Sequence, residues 1–144
     1  ISALKGTAVK NLQQEVKKNL PLHPPFYDPE LLTEQPERFF VSEFIREQLF
    51  IRYKDEIPYS TEVEIEEFKE RETGKTYIRA VIYVERDSQK GILIGKGGSA
   101  LKKIGEFSRK QIEDFLDRKI FLELFVKVLP NWRNDSKQLK RLGY

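Results

Sequence analysis

Apolar residues near the start of the chain recur with a period close to that of a helix. Val9, Leu12 and Val16, with Lys10, Lys17 and Lys18 beside them, predict a short amphipathic helix over residues 7–19. Beyond Pro36, which suits the first position of a helix, come Val41, Phe44, Ile45, Leu49 and Tyr53. Their spacing predicts a core-facing helix that stops before Pro58. The period then changes to two. Val63 and Ile65 alternate with Glu62, Glu64 and Glu66, a strand with one face expected to be wet. Ile78, Ala80, Ile82 and Val84 alternate with Tyr77, Arg79, Val81 and Tyr83, and Thr73-Gly74-Lys75 reads as the turn of a β-hairpin. Asp87-Ser88 is a helix-start signal, so residues 88–93 read as a short helix. Leu101, Ile104, Ser108, Ile112 and Phe115 predict a longer one. Ile120, Leu122, Leu124, Val126 and Val128 then share one face of a third strand, opposite Glu123 and Lys127. Asn131 is the expected cap of a last, basic helix that ends near Leu142, with Gly143 as its stop.

From residue 37 the order is α-β-β-α-α-β-α. Three strands with one apolar face, and helices to cover that face, make a two-layer α+β domain. Ahead of it, five of the seven prolines fall between Pro21 and Pro36. That density forbids a regular helix or an inner strand and predicts a semi-rigid linker over 21–36.

Composition narrows the chemistry. The 144 residues contain no cysteine and a single histidine, His23, within the linker. Disulfides and thiolate metal sites are excluded, and no metal site is expected. No apolar run approaches the ~20 residues that span a bilayer, and no signal-peptide pattern opens the chain. The chain begins at Ile1, so a piece of a longer protein is expected.

The net charge of +3 matters less than its distribution. Residues 55–72 hold eight acids against Lys69 and Arg71. Residues 87–110 hold Lys90, Lys96, Lys102, Lys103, Arg109 and Lys110 against Asp87 and Glu106. The final fourteen residues hold Arg133, Lys137, Lys140 and Arg141 against Asp135. A basic patch favours an anionic partner, and an ordinary solvated surface is the plainer alternative.

The most informative stretch lies in the basic region: "GILIGKGGSALKKI", residues 91–104. A Walker A loop needs four residues between its first glycine and the Gly-Lys pair, then Ser or Thr. Only three separate Gly91 from Gly95, and Gly97 follows Lys96. A dinucleotide fingerprint fits Gly95-x-Gly97-x-x-Ala100 in relaxed form. Its strand would be four residues long, and no acid stands at the end of the next strand. The third option is a helix–GxxG–helix clamp on a nucleic-acid backbone. Gly95, Lys96, Gly97 and Gly98 would form the loop, which admits sugar-phosphate where a Cβ would block it. The following helix would offer free N–H groups to phosphate. Ile92, Ile94, Leu101 and Ile104 would floor the groove, and Lys90, Lys102 and Lys103 would add charge. Arg133 and Lys137 would extend the contact through the basic end. Trp132 there either docks the last helix or stacks on a base. A bare helix–helix turn remains the rival for the glycines, and with it a protein-interaction module.

The segment "LIGKGGSALKKI" resembles the KH-domain pattern: two aliphatics, G-x-x-G, then aliphatics three and six residues on. The element order is similar to that of the type II form, whose three-stranded sheet is mixed and covered by helices on one face. "SEFIREQLFIRYKDEIPYS", "VERDSQKGILIGKGG", "LELFVKVLPNWRND" and "LKRLGY" together resemble the C-terminal half of the bacterial Era GTPase family, over about residues 36–144. "ISALKG" resembles that family's last guanine-nucleotide motif, ahead of the final helix of its G domain. The resemblance implies a G-domain remnant over 1–20, the linker over 21–36 and a type II KH domain over 37–144. It implies single-stranded RNA binding at the 3′ end of 16S ribosomal RNA in small-subunit maturation, with no DNA partner. It also implies a monomer in the cytoplasm, with peripheral association with the inner membrane. GTP and Mg2+ would belong to the whole protein. These residues hold no P-loop and no guanine-specificity motif, so the chain is expected to need no cofactor and to catalyse nothing.

Overall fold

The computed structural model describes residues 1–24, 36–54, 56–70 and 74–143. The chain divides into two compact units, Ile1–Glu34 and Gln35–Tyr144. In the first unit, the Ser2 amide donates to the Thr7 carbonyl at 3.1 Å, and helix α1 follows as Val9–Asn19. No residue of α1 is buried. Of the predicted linker, residues 25–35 lie outside the described residues, as does Thr73 of the hairpin turn.

In the second unit, α2 runs Glu37–Arg52 and ends where the Tyr53 amide donates to the Leu49 carbonyl. Strands β1 (Glu62–Lys69) and β2 (Thr76–Val84) form the hairpin. Helix α3 is Asp87–Ile94, and after a 3-10 turn at Lys96–Gly98 comes α4, Ser99–Leu116. Strand β3 is Ile120–Val128, and α5 is Ser136–Leu142. The sheet order is β1-β2-β3, antiparallel between the first pair and parallel between the second. The sheet is therefore mixed, and β3 is an edge.

The even-numbered face of β2 makes the core. Ile78, Ala80, Ile82 and Val84 pack with Val41, Ile45 and Leu49 of α2, Leu93 of α3 and Ile104 and Ile112 of α4. Between Ile65 and Glu67 the register slips by one residue. This bulge flips the parity of β1, so Phe68 rather than Glu67 joins Val63 and Ile65 against the core.

The wet face expected for β1 needs correction. Glu62 is only 4% exposed, because Arg46 of α2 meets it with an Nη2–Oε1 distance of 2.7 Å. Tyr83 donates to Glu64, and Lys127 donates to Glu66. A second correction concerns the last helix. Asn131 opens a 3-10 turn at φ 55 instead of capping α5. The cap is Asp135, whose Oδ1 accepts from the Lys137 and Gln138 amides at 2.8 and 3.3 Å.

Candidate nucleic-acid interface

Two local devices deliver the glycine turn. Gln89 in the first turn of α3 accepts from the Glu85 and Arg86 amides, at 3.0 Å each, and donates to Ser60 Oγ at 2.8 Å. This fixes the direction in which α3 leaves the sheet. At its far end the Gly95 amide donates to the Gly91 carbonyl at 2.9 Å, and the Gly98 amide to the Gly95 carbonyl at 3.2 Å. Gly95, Gly97 and Gly98 all have positive φ, at 70°, 59° and 78°.

The three glycines do different jobs. A Cβ on Gly95 would lie 2.7 Å from Ala100 Cβ and 3.0 Å from its amide nitrogen, so Gly95 lets α4 start tightly against α3. A Cβ on Gly97 or Gly98 would meet nothing within 4 Å. These two present bare backbone to open space. Gly98 stands at the N-cap of α4, and no side chain caps that helix. The Ser99 amide donates to the Lys96 carbonyl, so the turn runs straight into this 18-residue helix, whose positive N-terminal end lies at the two glycines.

Beside the turn lies a cleft of about 400 Å³, lined by Gly98, Leu101, Lys102, Gly105, Glu106 and Arg109 of α4 with its cap, and by Leu122 and Leu124 of β3. Leu101, Gly105 and Arg109 recur every four residues, one step round the helix from the buried stripe Ile104, Ser108, Ile112. Leu122 and Leu124 sit on the apolar side of β3 but are only half-buried. They are on an edge strand, and Gly105 offers no side chain to cover them. Lys96, Lys102 and Arg109 make no ion pair among the described residues, so their charges are open to an anion.

Of the expected site residues, the structure gathers Gly98, Leu101 and Lys102 in the cleft, with Gly95, Lys96 and Gly97 in the adjoining turn. Ile94 is half-buried against the core, Lys90 is half-buried on α3, and Ile92 on the same helix is 50% exposed. None of the three lines the cleft. Ile104 is a correction: it is fully buried and belongs to the core beneath, because its stripe of α4 faces the sheet. Lys103 is on the other side of α4 from the cleft. Arg133 is bound to Glu85 through two contacts, at 3.0 and 2.6 Å, and holds that carboxyl below its ordinary value. Lys137 is exposed on α5. Trp132 is 4% exposed and points its indole N–H toward the Ser60 carbonyl at 3.4 Å, so it docks the chain end on the domain.

The sequence puts Arg109 in the basic block and Leu122 and Leu124 on an apolar strand face, but marks none of them, nor Gly105 or Glu106, as lining a cleft. Gly105 was the available signal, since glycine within a strong amphipathic helix costs about 1 kcal/mol and calls for a reason.

Residues 56–133 match the family model described as KH domain. Over 144 residues the chain is 51% identical to the GTPase Era of Geotalea daltonii, covering 100% of this chain and 48% of that protein. It is 52% identical over 145 residues to the GTPase Era of Geobacter metallireducens, covering 100% and 49% respectively. A solved structure of Era in complex with MgGDPNP and nucleotides 1506–1542 of 16S ribosomal RNA superposes with a TM-score of 0.92 at 36% identity, covering 100% of this chain and 48% of that one. The chain thus spans about half the length of the relatives it matches.

Proposed function

Because the chain belongs to the KH-domain family and is the counterpart of the C-terminal half of Era GTPases, we propose that it grips a single RNA strand between the glycine turn and the cleft beside it. The observation that carries this reading is the pair Gly97 and Gly98, open to solvent at the head of an uncapped helix. Backbone phosphates approach these two glycines, lie at the positive end of α4 and are balanced by Lys96 and Lys102. Bases turn into the cleft, where Leu122, Leu124 and Leu101 offer an apolar floor and Arg109 a fork of donors.

The strand we assign is the 3′ end of 16S ribosomal RNA, supported by the RNA carried by the Era complex that this fold matches. The task is then small-subunit maturation, in the cytoplasm and with peripheral contact to the inner membrane. No helix among the described residues is long and apolar enough to cross a membrane. On this reading GTP and Mg2+ belong to the parent GTPase, since the sequence here holds no P-loop, and the part this chain plays is RNA capture.

The test is binding of a labelled RNA of the 16S 3′ sequence, against a scrambled RNA, at two salt concentrations. The affinity should fall steeply with salt, because bound phosphates release counterions. Lys96→Asp with Gly97→Asp should abolish binding while the fold survives. Aspartate tolerates the left-handed backbone of Gly97 at a cost of about 1 kcal/mol. Unchanged affinity in the folded double variant would rule out the clamp.

A further inference from the structure

Helix α4 has a second hollow, on the side away from the cleft. It measures about 570 Å³ and is lined by Arg52 and Tyr53 at the end of α2 and by Ala100, Lys103, Glu106 and Phe107 of α4. We propose that this hollow is a second nucleotide site, which stacks one base of the same RNA strand beyond those held in the cleft. The inference rests on the clamp reading above and adds a site to it.

Three observations support it. The first is a ready-made stack. The Arg52 guanidinium carbon lies 4.2 Å from the centroid of the Phe107 ring, yet the ring is 52% exposed. A phenyl ring half in water beside a guanidinium is a surface on which any base can lie, since every base has a π-face.

The second is charge. Arg52 and Lys103 line the hollow, with Lys54 next to Tyr53 in the chain, against the one lining carboxylate, Glu106. None of the three cations makes an ion pair among the described residues, and Arg52 Nε is buried with no hydrogen-bond partner among them. The Tyr53 hydroxyl keeps its proton, as burial raises its pKa, and so is a donor. A wholly apolar hollow would suit a peptide side chain; this one suits an aromatic ring carried on an anionic backbone.

The third is continuity. Lys102 and Lys103 are consecutive, and a helix turns about 100° per residue. Lys102 therefore lines the cleft while Lys103 lines the hollow, and Glu106 borders both. A strand leaving the cleft across the crest of α4 stays within reach of a cation throughout.

The test uses the full chain and single-stranded RNAs of four to ten nucleotides from the 16S 3′ sequence. In the wild type, affinity should rise with length beyond what the cleft holds. Phe107→Ser and, separately, Arg52→Gln should bind the four-nucleotide RNA as the wild type does. On the longest RNA each should lose about fivefold to tenfold, in keeping with the loss of one base stack. A 2-aminopurine placed past the fourth position should be quenched by the wild type and not by Phe107→Ser. Thermal unfolding confirms that both variants fold, which the exposure of Phe107 favours. Variants that match the wild type at every length, with equal quenching, would overturn the second site and leave the clamp standing. A four-nucleotide RNA that fails to bind the wild type would overturn the clamp, and this inference with it.

Discussion

Single atoms separate the glycines of the turn. At Gly95 a Cβ would press on the Ala100 backbone, which cannot swing aside as a flexible side chain would. At Gly97 only the positive φ resists. Gly95→Ala should therefore destabilise the domain by about 2–3 kcal/mol, and Gly97→Ala by about 1 kcal/mol. Urea unfolding of the two variants checks the order, and equal losses would mean that α4 shifts to accommodate the methyl. Trp132 poses a related choice between packing and stacking. With 4% of its surface exposed, it has no face to offer a base. Trp132→Ala should cost roughly 3 kcal/mol, read as a lower unfolding midpoint, with little change in RNA affinity. A large affinity loss at unchanged stability would return Trp132 to the interface. The glycine cluster was plain in the chain, but the division of labour within it was not. That division depends on where Ala100 comes to rest.

Among the elements, α4 carries the most distinct roles. One stripe, Ile104, Ser108 and Ile112, is buried in the core. The stripe beside it, Leu101, Gly105 and Arg109, walls the cleft. A Cβ at Gly105 would stand 3.5 Å from Leu124 Cδ1, ordinary contact distance. Gly105→Ala should therefore raise helix stability by about 0.5–1 kcal/mol and at the same time narrow the cleft and weaken RNA binding. Thermal melts and RNA titration on one preparation check both signs; a stabilised variant with full affinity would show that the cleft floor is not used. Helical and strand periods, with start and stop signals for α3 and α5, made the α-helices and strands of the second unit visible in advance. Its exposed and buried leucines were not separable that way. Leu122 and Ile120 occupy equivalent positions of one strand, and only the edge placement of β3 beside Gly105 leaves Leu122 half-bare.

Across the second unit as a whole, surface ion pairs join residues that the linear charge blocks keep apart. Glu123 sits below its ordinary carboxyl value, first through the hydrogen bond from Tyr77 and then through Arg79. Lys69 lowers Glu67, Arg133 lowers Glu85 and Lys119 lowers Glu113. In each the folded-state pKa is depressed. The stability these groups add is complete above the unfolded carboxyl pKa, near 4.5, and is lost as pH falls through the lower folded values. The unfolding midpoint should be flat from pH 8 to about 6 and decline below the ordinary carboxyl range. Because these groups face solvent, the decline from each pair should be small and should shrink in high salt. Glu123→Gln should flatten part of the acid limb; an unchanged limb would place the acid sensitivity elsewhere.

The chain by itself determined its elements, their order and the turn where RNA is expected. These follow from short-range causes: alternation of apolar residues, proline and glycine stops, and a loop pattern read over a dozen positions. Only the tertiary structure decided which side of each element is finally covered. It buried Glu62 against Arg46, sixteen residues away, sent Ile104 inward and Lys102 and Lys103 to two different hollows of one helix, and made β3 an edge. Burial is set by what arrives from elsewhere in the chain. A residue's own period says which face it shares, but not whether that face meets another element, an open cleft or water.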